Sequence, residues 1–346
     1  MFHRRESPGM DPFTHAVIGA TIGYALCGQK LGKHAAALGA LSAISPDVDH
    51  FVSSETDPLL YIEYHRFFTH SLLFAFIGAF VPMLPWLSRA EFRARWGTLW
   101  LCSWTAYLSH CLLDASTTWG TRLYWPFAQT RVSWDLIAIV DPLFTFTLTG
   151  VLAFALVRKS RRAVLVGFAF ALAYLALGGV QHHRAMRAQK HLAEERGHTI
   201  ERSQVMPTLA NNIVWRSVYL ANGNIYSDRI RVGWFSRASV REGTSLPRIT
   251  ANELRPEEQE GNRLLHGFDR FEWFTGGWTA RAPIDDTVIG DMRYSRSTDA
   301  FDPVWGIRLT HENGHHAVEW VSRERDRHLG LEQLWDEIVG NDQRYK

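Results

Sequence analysis

Hydrophobic and polar residues are not spread evenly along the chain. Phe67–Ser88 runs for 22 residues without an Asp, Glu, Lys or Arg, Trp96–Leu113 for 18, and Ala163–His183 for 21. Leu136–Val157 is interrupted only by Asp141, and two shorter windows, Pro12–Gln29 and His34–Pro46, precede these. A hydrocarbon core about 30 Å thick takes roughly 20 apolar residues to cross. The four later windows therefore predict transmembrane helices, and the first two predict short, tilted or re-entrant ones. From about Gln181 the pattern changes to charged, turn-rich sequence. His182–Glu201 reads as a polar connecting helix. Short alternating runs follow at Ile213–Leu220, Ile225–Phe235, Val304–Thr310 and His316–Val321, with Asn222-Gly223 and Asn313-Gly314 as hairpin turns between them. Leu329–Val339 reads as a closing amphipathic helix. The expected fold is an integral membrane α-helical bundle of about six helices, the first two short, followed by a soluble β-rich α+β domain. The expected boundaries are 10–180 for the membrane domain, 181–200 for the connecting helix and 201–346 for the β-rich domain.

Composition narrows the functional classes. The 346 residues carry a net charge of +2, are 46% hydrophobic and 13% aromatic, and include three cysteines. That charge balance excludes a strongly basic nucleic-acid binder, and the aromatic content excludes a disordered chain. Cys27, Cys102 and Cys111, all in apolar stretches, do not form a disulfide framework or a zinc knuckle. The first apolar stretch contains His15 and runs into Lys30 and Lys33, unlike a cleavable signal peptide; Met10 is a plausible start. Loop charge gives orientation. The connections at 30–33, 88–96 and 158–162 hold nine Lys and Arg, whereas those at 47–66 and 114–135 hold only Arg66, Arg122 and Arg131. The positive set belongs in the cytoplasm. A multi-pass inner (plasma) membrane protein results, with both termini and the β-rich domain on the extracytoplasmic side.

Ionisable residues at the edges of the apolar windows carry the chemical message. They are His15; Asp47, Asp49 and His50 in Pro-Asp-Val-Asp-His; His65, Arg66 and His70 in His-Arg-Phe-Phe-Thr-His-Ser; His110 and Asp114 in His-Cys-Leu-Leu-Asp; and Asp135 and Asp141. In an up-down bundle these edges share one face, the face that the charge count puts outside. Imidazole and carboxylate suit zinc, and also manganese or iron. His110 and Asp114, four apart, stack on one side of a helix. Asp47 and Asp49 offer up to four oxygens within one turn, enough to bridge two ions. Singly, each residue has an ordinary alternative as a helix cap or interfacial side chain; together they predict a divalent-metal site. His15, Asp47, Asp49, His50, His65, His70, His110, Asp114 and Asp141 are the candidate ligands, and Asp47 and Arg66 the candidate catalytic residues. A metal open to water on one side acidifies that water to a nucleophile near neutral pH, and several cations neutralise developing phosphoryl charge. The expected reaction is hydrolysis of a phosphoester, with Arg66 clamping the phosphate. A lipid or lipid-linked substrate fits a site at that depth. The rival readings are a metal-ion transporter or sensor, which needs ionisable groups at mid-membrane, and a non-catalytic membrane scaffold.

Met-Asp-Pro-Phe-Thr-His at 10–15, Pro-Asp-Val-Asp-His at 46–50, His-Arg-Phe-Phe-Thr-His-Ser at 65–71, Ser-His-Cys-Leu-Leu-Asp at 109–114 and Trp-Gly…Trp-Pro-Phe at 119–127 resemble the YdjM-like family of membrane-bound metal-dependent hydrolases over roughly residues 10–180. That family is distantly similar to zinc-dependent phospholipase C and the fungal single-strand nucleases, helical enzymes with a trinuclear zinc site. The resemblance implies that His15, Asp49, His70, His110 and Asp114 are metal ligands. The N-terminus here is extended and no His lies between His110 and His182, which favours two ions over three. His311-Glu-Asn-Gly-His315 matches the H-E-x-x-H pattern of zinc proteases, but that pattern works only on a helix, and Asn313-Gly314 signals a hairpin tip. His182-His183 reads as an interfacial cluster. The tryptophans from Trp86 to Trp134 read as an interfacial belt, some of them able to line a lipid-chain groove.

Overall fold

The computed structural model describes residues 12–54, 56–259, 262–312, 315–323 and 335–340. The N-terminal extension before Met10 lies outside them, as does most of the expected closing helix, of which residues 335–339 are helical. The chain forms two compact units. One comprises residues 1–51 and 64–179; the other comprises 52–63 and 180–346.

The first unit is helical. α1 (Pro12–Leu31) and α2 (Lys33–Ile44) form a hairpin whose turn is Gly32, held at φ +55°. The two helices approach closely because small residues face each other: a Cβ on Gly39 would fall 2.2 Å from the Gly19 carbonyl oxygen. A 3-10 turn, Ser45–Phe51, continues from α2. α3 (Leu60–Tyr64), of which only Tyr64 belongs to this unit, precedes a second 3-10 turn at Phe68–His70. Then come α4 (Leu72–Gly78), capped by the Ser71 hydroxyl accepting from the Phe74 amide, α5 (Phe80–Leu87), α6 (Ala90–Arg93) and the 20-residue α7 (Trp96–Ala115). α8 (Pro142–Arg158) is capped by Asp141, whose carboxylate accepts from the Phe144 amide. α9 (Arg161–Glu195) is 35 residues long, or about 50 Å at 1.5 Å per residue. The apolar Ala163–His183 window and the expected connecting helix are thus one continuous helix, and the boundary between units falls inside it at Gly179/Val180. No proline interrupts the run, so nothing forces the helix to end where its polarity changes.

By length and apolar composition the helices supply fewer clear spans than the six expected. Among the described residues, α9 is the one helix both long and apolar enough to cross a bilayer. A second span results only if Leu60–His70 and Leu72–Leu87 act together, and these are bent by 70°. The Phe67–Ser88 window is therefore a broken segment. α8, at 17 residues, is apolar but short.

The second unit carries two four-stranded antiparallel sheets. β1 (Arg202–Pro207), β2 (Val214–Ala221), β3 (Asn224–Val232) and β4 (Ala238–Pro247) make the first, in that order. Asn222 and Gly223, at φ +52° and +73°, form the two-residue turn that pairs Ala221 with Asn224. After α10 (Pro256–Gln259) and α11 (Asn262–Thr275), β5 (Thr279–Ala282), β6 (Asp285–Asp291), β7 (Trp305–Glu312) and β8 (His315–Ser322) make the second sheet. α11 buries Leu264, Phe268, Phe271 and Phe274 at helical spacing.

Candidate metal centre

The helical hairpin brings the start of α1 beside the end of α2, and α7 packs against both. This gathers His15 from α1, Asp47, Asp49 and His50 from the first 3-10 turn, His65, Arg66 and His70 from the following loop and turn, and His110 and Asp114 from the last turns of α7. His15, Asp49, His65, Arg66, His70, His110 and Asp114 are all buried. The side chains of Asp47 (14% exposed) and His50 (30%) are the ones solvent reaches, so the cluster opens there.

The inner group centres on two imidazoles. His110 Nδ1 lies 2.6 Å from the Ala43 carbonyl oxygen, and His70 Nδ1 lies 3.1 Å from Asp49 Oδ2 and 2.9 Å from Thr69 Oγ1. A carbonyl or carboxylate oxygen only accepts, so these partners place the proton of each ring on Nδ1. Each Nε2 then carries a bare lone pair, yet the two Nε2 atoms are 2.9 Å apart. Facing lone pairs at that distance repel unless a cation or a shared proton lies between them. Carboxylates complete the set. Asp47 Oδ1 is 3.6 Å from both Nε2 atoms, and Asp114 Oδ2 is 3.4 Å from His70 Nε2 and 3.5 Å from His110 Nε2. Donors about 2.0–2.1 Å from one tetrahedral ion sit about 3.3–3.4 Å apart, close to these carboxylate–imidazole distances. The residues present therefore fit a divalent ion. Three groupings could hold one: Asp47, His70 and His110; His15, His110 and Asp114; and Asp47, Asp49, His50 and His65. Asp47 and His110 each belong to two of them.

Around these donors lies a layer that orients them. Asp49 accepts from His65 Nδ1 (3.0 Å), the Arg66 amide (2.9 Å) and the Thr69 hydroxyl (3.0 Å), besides facing His70. Burial pushes the Asp49 carboxyl up, but the imidazoles of His70, His50 and His65 facing it outweigh that and hold the group well below the ordinary carboxylate range. Asp47 is likewise held low, its burial outweighed by the imidazoles of His110, His70 and His15. His15 Nε2 lies 3.1 Å from Asp114 Oδ1, and its ring stacks on His110 with centroids 3.8 Å apart. Among the described residues, His15 Nδ1 and Asp47 Oδ2 are buried without a hydrogen-bond partner. Buried polar atoms are normally satisfied, and unpaired ones gathered at one place mark a site built for something else.

Two expected members stand differently. Arg66, the anticipated phosphate clamp, is 1% exposed and turned onto Asp114, with Nε 2.8 Å from Oδ2 and Nη1 2.9 Å from the Thr117 hydroxyl. Its left-handed φ of +61° lets its amide reach Asp49 while its guanidinium reaches Asp114. Asp141 lies in none of the three groupings; its oxygens accept from the Phe144 amide and, at 2.6 Å, from the Tyr174 hydroxyl, which makes it a helix cap. Sequence reasoning did not single out Thr69, inside the 65–71 motif, or Thr117, three residues past the 109–114 motif. Thr69 also receives the Tyr107 hydroxyl on its carbonyl at 2.9 Å. The position of Thr69 directly before His70 was the available signal. The H-E-x-x-H residues fall on paired strands, with His311 opposite His316 and Glu312 opposite His315, so they do not share a helix face.

Fold and site together define a helical protein with a buried His/Asp cluster able to hold metal, joined to a β-rich domain. The chain belongs to the YdjM inner membrane protein family, whose model matches residues 10–185, and it is a membrane protein. It is 35% identical over 133 residues to the inner membrane protein YbcI of Escherichia coli, covering 36% of this chain and 74% of that one. It is 30% identical over 143 residues to the uncharacterized protein YfhP of Bacillus subtilis, covering 38% of this chain and 42% of that one. No solved structure matches the chain.

Proposed function

We propose that this protein is a metal-dependent hydrolase of the inner membrane that cleaves a phosphoester in a lipid or lipid-linked substrate. The observation that carries the reading is the pair of imidazole Nε2 atoms 2.9 Å apart, with two carboxylates within hydrogen-bonding or ion-pair range of both. His70, His110, Asp47 and Asp114 would hold the first ion. Asp47 with His50 and His65 would hold a second, with Asp47 as the bridge. Zinc suits the donor set best, and manganese or iron would also fit. A divalent ion bound there supplies Lewis acidity toward a phosphoryl oxygen and lowers the pKa of water.

The chain's own residues have distinct tasks. Asp49 fixes the ring orientation of His70 and His65, as carboxylates behind metal-ligating histidines do. Arg66 and His15 hold Asp114 from its two oxygens and offset its buried charge. Asp47 and His50, at the opening, are the groups a substrate meets first, and His50 can pass a proton to solvent. The exposed apolar residues Val48 and Phe51 flank them on the same turn and suit a substrate that arrives from lipid.

Metal analysis of detergent-purified protein, with a panel of phosphoester chromogens and phospholipid vesicles, tests this. Turnover of at least one phosphoester, abolished by chelation and restored by zinc, is expected. Protein without transition metal, or metal-loaded protein inert on the whole panel, would overturn it. We further propose several crossings, with the metal centre and the β-rich domain outside the cytoplasm, on the strength of the nine-positive loop set. A reporter active only in the cytoplasm should be silent after Lys346 and active near Arg93; the reverse pattern would move the site to the cytoplasmic face.

A further inference from the structure

Residues 52–63 are the chain's only route from Asp47–His50 to His65–His70, yet they pack with the β-rich unit, while their neighbours Phe51 and Tyr64 belong to the helical one. The strap is anchored. Leu59 and Ile62 are 0% and 2% exposed, and Asp57 accepts from the Leu59 amide at 3.0 Å, ordering the turn into α3. Its charged grip is centred on Arg270 of α11. Arg270 donates from Nε and Nη2 to the two oxygens of Glu63, both at 2.8 Å, and from Nη1 to Asp57 at 3.0 Å. Two parallel N–H···O bonds fix both distance and plane, which a lysine cannot do. Arg270 is half-buried, with its side chain 15% exposed, so solvent screens this fork less than a surface pair. Glu63 is two residues before His65, whose Nδ1 meets Asp49, and Asp57 is seven residues after His50.

We propose that Arg270 is a positioning residue for the metal centre: by holding Glu63 and Asp57 it fixes the strap, and through the strap the spacing of the two ligand-bearing turns at its ends. This gives the β-rich domain a task in the chemistry of the helical one. The proposal rests on the metal-centre reading above. The strap is not needed for any donor to exist, only for the donors to be spaced before the ion arrives. Its loss is therefore expected in affinity rather than in stoichiometry.

The test measures zinc affinity of the full-length protein by competition with a chromogenic chelator. Arg270→Ala should weaken affinity about 10-fold or more, the scale on which orienting partners of metal ligands act. Arg270→Lys, which keeps the charge and one bond, should recover part of that loss. Glu63→Gln should also weaken binding, and Glu63→Gln combined with Arg270→Ala should cost little more than either alone, because both cut the same tether. Arg248→Ala breaks a comparable ion pair to Glu272 in the same domain and should leave affinity unchanged. A merely structural Arg270 would lower the β-rich domain's melting temperature and leave zinc affinity where it was, and that result overturns the proposal. Additive losses in the double variant would overturn it too. Wild-type protein that binds no metal would instead overturn the metal-centre reading, so the two failures are distinguishable.

Discussion

Both units of this protein bury charge, and they do so in opposite ways. In the β-rich unit the buried Arg216 is fully employed. Arg216 donates to the carbonyls of Met292, Arg293, Ser297, Thr298 and Ala300, using all three guanidinium nitrogens. Arg293 forks onto Asp291 at 2.9 and 2.7 Å, and Arg229 meets Glu337 at 3.2 Å. Burial still draws the Arg216 guanidinium down to about 10, against the charges of Asp299, Asp291 and Asp228. In the helical unit the buried groups are imidazoles and carboxylates, with Arg66 on Asp114. Two bare nitrogens face each other there, and a carboxylate oxygen and a ring nitrogen go without partners. The first arrangement ties a loop between strands and is complete. The second is costly as it stands, and its cost falls once a cation occupies it. Burial of charge alone thus does not mark a functional site; at the helical cluster it is the facing imidazole nitrogens together with the unpartnered His15 and Asp47 atoms that do.

The largest effect that could break this contrast is loss of the ion. His110→Ala with Asp114→Ala removes a donor of each kind, and metal content measured by elemental analysis should fall from one or two ions per chain to near zero. Asp49→Asn removes an orienting carboxylate and not a first donor, so metal affinity should drop about 10–100-fold while the protein still inserts. Unchanged metal content in the double variant would mean that the helical cluster is an ordinary polar network after all.

How much of this was legible beforehand depends on what each signal measures. The Asn222-Gly223 and Asn313-Gly314 pairs specify hairpins locally, and β2, β3, β7 and β8 lie beside them. β4 was invisible because it is an exposed strand, Ala238–Pro247, with no alternation to read. α11 carries a readable stripe of Leu264, Phe268 and Phe271, which its interspersed charges obscured. The metal-binding residue types were legible because ionisable groups beside apolar windows are rare. Their division of labour was not: whether a carboxylate faces an ion or a histidine depends on distances no spacing supplies, and Arg66 turned toward Asp114 where a phosphate was expected. Hydropathy sums composition and cannot see that the Phe67–Ser88 window bends where Ser71 starts a new helix.

The complementary test is directed at the β-rich unit. Arg216→Met keeps the bulk of the side chain and leaves five carbonyls without their donor. Breaking a buried charged network in this way costs about 3–5 kcal/mol. Denaturant unfolding followed through the buried Trp215 should show an early transition of that size, while metal content below the transition stays at the wild-type level. Parallel loss of stability and metal would show that the two kinds of burial do not differ as argued.

The smallest effect is expected at the H-E-x-x-H sequence, and it is the most economical discriminator between the two units. A zinc protease needs its two histidines one helical turn apart, with the glutamate beside them as base. Here the backbone register pairs His311 with His316 and Glu312 with His315 across an antiparallel hairpin. The two histidines are therefore not one helical turn apart, as that motif requires. Glu312→Gln should therefore leave phosphoester turnover at the wild-type rate. Measured beside Asp49→Asn at equal expression, it should be the silent member of the pair. If Glu312→Gln abolishes turnover and Asp49→Asn spares it, the chemistry belongs to the β-rich unit, and the unsatisfied cluster between the helices has another purpose.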